Sequence, residues 1–215
     1  MIGDDLKDQP ILQDPILAYI GITIQSFPNF SFPKETDELM ASLDRPSHWY
    51  PKKFQYHKFH LFNPFFKRWR RIFYMDCGIT VFQPIQPLLD CWKENTVLAH
   101  SDTYPYYEWK LHNQFVSLSP YIEELKQTYD LTVDYPQTTI LLYDTNVIED
   151  TTEQDLYNLM LRFPNSVTND QGIMALYFTN VRKLWKQIPI GNDTINFYDY
   201  MDRHNGKPYI MLKSC

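Results

Sequence analysis

Glycine is scarce in this chain, with six in 215 residues. The six are spread out, so there is no glycine-rich phosphate loop of the dinucleotide or P-loop kind, and two common nucleotide-binding classes are excluded. Cysteine is sparse as well. Cys77, Cys91 and Cys215 are odd in number and fit no zinc spacing, so neither a disulfide framework nor a zinc motif is expected. A reducing, cytoplasmic setting is the default expectation. No apolar run approaches the roughly 18 residues that cross a bilayer, so no membrane span is expected. The acidic, polar residues 1–10 do not read as a signal peptide. The six histidines show no metal-protease spacing, and no Gly-x-Ser-x-Gly or Cys/His nucleophile pattern occurs. Cys77 follows Asp76, whose negative charge keeps a neighbouring thiol protonated, so a catalytic thiolate is not expected.

What is present points to one folded domain over 1–215. Hydrophobic residues make up 44% and charged residues 21%, enough apolar material for a sizeable core. Aromatics are abundant, with 16 Tyr, 14 Phe and 5 Trp. A formal net charge of −6 argues against a non-specific nucleic-acid binder. The charge is unevenly distributed. Residues 45–71 hold eight of the 20 Lys+Arg and no acid, leaving twelve cations against all 26 acids in the rest of the chain. That segment is either a solvated basic helix over an aromatic core or an electropositive wall beside an anionic ligand.

Residues 19–24 (YIGITI) and 96–100 (TVLAH) read as strands. Residues 71–75 (RIFYM) form the short apolar run of a buried parallel strand, a second run follows at 79–82, and 138–143 (TTILLY) is the clearest strand of all. Helices are expected at 34–43, at 54–61 with an aromatic face, at 88–93, and from Ser119-Pro120 to about residue 128. Thr151-Thr152-Glu153-Gln154 resembles a capping box ahead of Leu156, Leu159, Met160 and Phe163 at helical spacing. Thr168-Asn169-Asp170-Gln171 repeats the signature ahead of Ile173, Tyr177, Val181 and Leu184. The tail, 186–215, reads as strand-poor. Alternating strands and helices give an α/β class with a mainly parallel sheet flanked by helices. Ligands of such sheets sit beyond the carboxyl ends of the strands, and three strands end at an acid: Asp76, Asp102 and Asp144.

Each candidate residue has two readings. Asp76 is either a ligand for a hard divalent cation (Mn or Mg) that neutralises a diphosphate, or a turn residue ahead of Gly78, whose missing side chain allows close backbone approach. His204 with Lys207 is either a metal-and-phosphate clamp or a polar loop. Asp170 and Gln171 either hydrogen-bond sugar hydroxyls or cap a helix. Trp109 either stacks on a sugar or base or belongs to the core.

The order of these motifs resembles nucleotide-sugar glycosyltransferases of the GT-A fold, especially glycogenin-like and related viral or microbial families. The hallmark of that group, a hydrophobic strand running into Asp-x-Asp, is matched by FYMDCGITVF at 73–82, with Gly78 in place of the second carboxylate. The group's upstream helix with a lysine and aromatics is similar to FQYHKFHLFNPFFKRW, which makes Lys58 the equivalent lysine. The strand QTTILLYDTNVI follows, then Asn169-Asp170-Gln171, which matches the group's "NDQ" letter for letter. The run His204-Asn205-Gly206-Lys207-Pro208-Tyr209 is a shorter form of the group's His-x-x-Gly-x-x-Lys-Pro-Trp. The resemblance covers about 50–210. It implies a GT-A-like sheet and transfer of a sugar from a nucleoside-diphosphate sugar to a glycan, protein or small-molecule acceptor. It places Asp170 and Gln171 at the reacting centre, Lys58, Asp76, Gly78, Asp102, Trp109 and Lys207 on the substrate, and a divalent cation on Asp76 and His204. The group's first strand and helix have no counterpart here, so the chain is expected either to be a truncated piece or to lack part of the nucleotide site. The alternative expectation is a catalytically inactive GT-A-like binding or scaffold domain. A nucleotidyltransferase is a third reading, disfavoured by the missing glycine-rich loop.

Overall fold

The computed structural model describes residues 2–3, 6–43, 53–102, 108–200 and 207–213. The chain begins with β1 (Ile2–Gly3), a 3-10 turn at Pro10–Gln13, α1 (Pro15–Tyr19) and β2 (Ser26–Phe27), which pairs in parallel with β1. The strand expected at 19–24 is absent. Asp14 accepts a hydrogen bond from the Ile16 amide at 2.9 Å and Pro15 takes the first helical position. This local capping makes a helix that takes up Tyr19, the first residue of the expected strand, and leaves 20–24 as turn and loop. Gly21, at φ 78°, then turns the chain in a conformation that favours glycine.

Next come α2 (Lys34–Ser42) and a 3-10 helix at Lys53–Phe62. The expected helix at 54–61 is therefore present in the tighter 3-10 form. It buries Tyr56, Phe59, Leu61 and Phe62, all members of the main core. Asn63 ends it and starts a further 3-10 turn, Pro64–Arg68, by accepting from the Phe65 amide at 2.8 Å.

The remaining elements are β3 (Arg71–Met75), β4 (Ile79–Val81), α3 (Gln86–Leu89), β5 (Val97–Ser101), α4 (Ile122–Thr128), β6 (Pro136–Asp144), α5 (Thr152–Arg162), α6 (Asp170–Leu176), β7 (Trp185–Gln187), β8 (Asn196–Tyr200) and β9 (Tyr209–Lys213). A four-stranded sheet runs β3-β6-β5-β7 and a three-stranded one β4-β9-β8. The expectation of a mainly parallel sheet is corrected. β6 runs antiparallel to both β3 and β5, and only β5–β7 is parallel in that sheet. The smaller sheet is likewise mixed, with β4–β9 antiparallel and β8–β9 parallel. The strand-poor expectation for the tail is corrected too, because β7, β8 and β9 all fall within or beside it.

The central sheet is buried on both faces, and the period of two sorts its side chains between two cores. Leu141 and Tyr143 of β6 with Val97 and Ala99 of β5 face the main core, built with α5, α6 and the 53–62 helix. Ile140 and Leu142 with Leu98 face the second core, closed by Phe197, Tyr198, Ile210 and Met211. Each such side chain contributes about 1.5–3 kcal/mol by leaving water. Two-sided covering makes β6 read as a continuous apolar run although its neighbours are antiparallel. β3 has a strand partner on one side only, and its residues are half-buried or exposed. α5 and α6 appear where the two capping signatures put them, with Leu156, Leu159, Met160 and Ile173 buried. Val181, expected on that core face, is exposed.

Candidate functional site

The strand directions decide which acids meet. Arg71 pairs with Asp144, and Met75 pairs with Ile140. The carboxyl ends of β3 and β5 therefore lie beside the start of β6, and Asp144 lies at the opposite end. Asp144 is buried and holds the turn after its own strand, accepting from the Asn146 amide at 2.8 Å. Asp76, Asp102 and the run Gln137-Thr138-Thr139 share the other end.

Lys58 is the hub of that end. From the 53–62 helix, its ammonium lies 3.1 Å from Oδ1 of Asp76 and 3.2 Å from Oδ2 of Asp170. It also lies 3.3 Å from the Thr138 hydroxyl and 3.4 Å from the Thr138 carbonyl. The Tyr74 hydroxyl donates to Oδ1 of Asp76 at 2.6 Å, and the Thr138 hydroxyl donates to Oδ2 of Asp170 at 3.0 Å. The side chains of Lys58 and Asp76 are 13% and 18% exposed, and that of Asp170 is 2% exposed. Asp170 thus sits behind a pair that reaches the surface. Burial alone would lower the Lys58 ammonium, but the Asp170 and Asp76 carboxylates outweigh it and hold the pKa above the ordinary lysine value. Burial pushes the Asp170 carboxyl up, against the pull of Lys58 and Thr138. The Tyr74 phenol is raised by burial and by Asp76, so it stays a donor.

A second network extends the first. Asp102 accepts from the Tyr135 hydroxyl at 2.8 Å, from Gln137 at 3.1 Å and from the Gln171 amide nitrogen at 3.1 Å. Gln171 also donates to Gln114 at 3.2 Å and accepts from the Thr138 amide at 3.3 Å. Gln171 therefore couples Asp102 to the strand that carries Thr138. The backbone ahead of it is strained. Asn169 has φ 56° and ψ −114°, a rare conformation for a non-glycine residue. Its amide donates to Gln55 at 2.8 Å. Gly172 allows α6 to close in, since a Cβ there would lie 2.4 Å from the Ser166 hydroxyl.

A cleft of about 960 Å³ opens beside β3, and Lys58, Asp76 and Gly78 line it together with Gln55 and Tyr74. Of the residues singled out from sequence, Lys58, Asp76, Asp102, Asp170 and Gln171 are joined by these bonds, and Gly78 is at the cleft. Trp109 is 42% exposed and precedes the 3-10 turn that carries Gln114. Lys207 donates to the Asn192 carbonyl at 3.3 Å and is not among the residues lining the cleft. His204 lies outside the described residues. Sequence reasoning missed Tyr74, Thr138, Gln137 and Gln114. The signals for the first three were a tyrosine two residues before Asp76, hence on its face of the strand, and a polar triplet opening an apolar one.

Among the described residues, the basic segment does not form a continuous electropositive wall. Lys53 pairs with Asp37, Lys67 with Asp150 and Arg70 with Glu94, all at the surface. Arg68 lies over Phe65 and Arg71 over Trp92, at 3.7 and 3.6 Å from the ring centres. Lys58 is the member of the segment that reaches the acid cluster, and Arg45 and Lys52 lie outside the described residues.

The described residues do not fit a divalent cation. Among them no group of three or more His, Cys, Asp or Glu side chains is placed to hold a metal. Position 78 offers no carboxylate, and an ammonium already lies between Asp76 and Asp170. No helix among the described residues is long and apolar enough to cross a membrane.

No family model matches the chain, and no curated protein matches it. Among solved structures, the apo form of the bifunctional glycosyltransferase WbbM is similar, with a TM-score of 0.47 and 14% identity over 91% of this chain. The chain spans 35% of that protein's length. A likeness this distant carries no argument about the site or the reaction.

Proposed function

We propose that this chain transfers a sugar from a nucleoside-diphosphate sugar to an acceptor hydroxyl. The observation that carries the reading is the meeting of Lys58, Asp76 and Asp170, from three separate elements, within 3.2 Å of one ammonium at the wall of a cleft. The motif resemblance implies substrate contacts for Lys58 and Asp76 and a place at the reacting centre for Asp170. Asp76 and Lys58 face the donor, and Gly78 lets its backbone come close. Asp170 and Gln171, which the resemblance puts at the reacting centre, do not line the cleft: Asp170 bonds Lys58 from behind it, and Asp102 orients the Gln171 amide. Fixed dipoles and charges of this kind accelerate transfer when they match charge that builds as the diphosphate departs.

Calorimetric titration with nucleoside diphosphates and their sugar conjugates tests the reading. Saturable binding is expected, and absence of heat at millimolar ligand would argue against it. Asp76→Ala is expected to abolish transfer while the circular dichroism spectrum is preserved. Full turnover in that variant would defeat the assignment. A second reading, a binding domain without turnover, is favoured by Gly78 in place of an acid. Sugar release or transfer above background excludes it.

A further inference from the structure

The cluster at the cleft holds its own cation. Oδ1 of Asp76 accepts from Tyr74 at 2.6 Å and lies 3.1 Å from the Lys58 ammonium, and Oδ2 is 3.5 Å from the same ammonium. Oδ2 of Asp170 is shared between Lys58 at 3.2 Å and Thr138 at 3.0 Å. A hard divalent ion needs several oxygens at about 2.0–2.6 Å with lone pairs to spare. Here it would have to displace the ammonium or sit against it, and like charges in a half-buried site repel strongly. Gly78 supplies no third carboxylate to offset that repulsion.

We infer that Lys58 stands where a divalent cation would stand between Asp76 and Asp170, and that a nucleoside diphosphate binds this cleft without a bound divalent ion. The inference rests on the glycosyltransferase reading for its ligand and on the donor set for its chemistry.

Two titrations test this. In the first, Mn²⁺ is added to the wild-type chain, to Lys58→Met and to Asp76→Asn, and the free-ion EPR signal is followed. Wild type is expected to leave the signal unchanged. Lys58→Met, in which two carboxylates face an emptied position, is expected to take up the ion. Uptake by wild type that disappears in Asp76→Asn would overturn the inference, and this comparison holds even if Lys58→Met does not fold. In the second, a nucleoside diphosphate is titrated by calorimetry in EDTA and then in Mn²⁺. The two affinities are expected to agree to within about twofold. A gain of about tenfold or more in Mn²⁺ would overturn the inference and leave the glycosyltransferase reading standing. Absence of binding in both media would sink that reading, and the Mn²⁺ titration alone would then decide the ion site.

Discussion

Lys58 and His60 lie two residues apart on the same 3-10 helix, and both are buried basic side chains beside an acid. At three residues per turn they leave the helix on different sides. Lys58 meets two carboxylates at the wall of a cleft. His60 turns to the arm at 26–33. One ring nitrogen contacts Glu153, and the other faces the Pro28 carbonyl at 2.9 Å. Its ring is stacked between Phe27 and Phe30, at 4.9 and 4.4 Å. The second oxygen of Glu153 is held by Asn63. Both clusters lie beside a cleft. The His60 ring is enclosed between two phenylalanine rings with both nitrogens bonded, which suits an anchor. The Lys58 ammonium joins two carboxylates from separate elements at the larger cleft, which suits a ligand. Burial of a basic group beside an acid does not by itself separate the two cases.

Removing the hub should give the largest effect. Lys58→Met removes the cation shared by two carboxylates and is expected to lower stability by about 3–5 kcal/mol in urea melts. Adding Asp170→Asn should recover most of the loss if the cost is electrostatic, and none if it is packing. His100 provides a third environment, a histidine that is buried without a carboxylate. Its pKa is lowered to about 4, chiefly by burial, so the unfolded chain binds its proton more readily. Between pH 6.5 and 4 the folded state should therefore lose about 3 kcal/mol as pH falls, with full stability above 6.5. His100→Gln should flatten that part of the pH–stability curve. His60→Leu keeps the apolar stack but strands Glu153, and should cost about 2 kcal/mol. Nucleotide binding should be unchanged, and a large loss of affinity there would erase the distinction drawn above. The smallest effect is expected from Gly172→Ala, about 1 kcal/mol: the Ser166 hydroxyl can rotate away from the new methyl, while the Gln114 carbonyl at 3.1 Å and the Ser166 Cβ at 3.2 Å must each give by a few tenths of an ångström. A weaker Gln171–Asp102 coupling would appear as reduced affinity without a change in fold.

Much of the fold was legible wherever local chemistry and tertiary packing agree. The run 71–75 is β3 to the residue, and both capping signatures precede helices. Sequence failed where a neighbour decides. A strand covered on both faces has the same apolar run in parallel and antiparallel sheets, so the direction of β6 was hidden. β9 pairs with β8 and with β4, a strand more than a hundred residues away, contacts that no local pattern records. At the site, Lys58, Asp76 and Asp170 came through a motif order. Thr138 and Tyr74 did not, since their value depends on which strand lies next to which.

A fully buried strand begins behind the cleft. Thr138, on a β6 whose nine residues are all buried, bonds Asp170 and meets Lys58. The support behind Lys58 therefore cannot loosen by a local fluctuation. Amide protons at 138–142 should exchange with deuterium only when the entire domain opens, whereas those of the exposed turns at 10–20 should exchange freely. A ligand that enters meets, at Lys58, a group held from behind by a strand that does not yield.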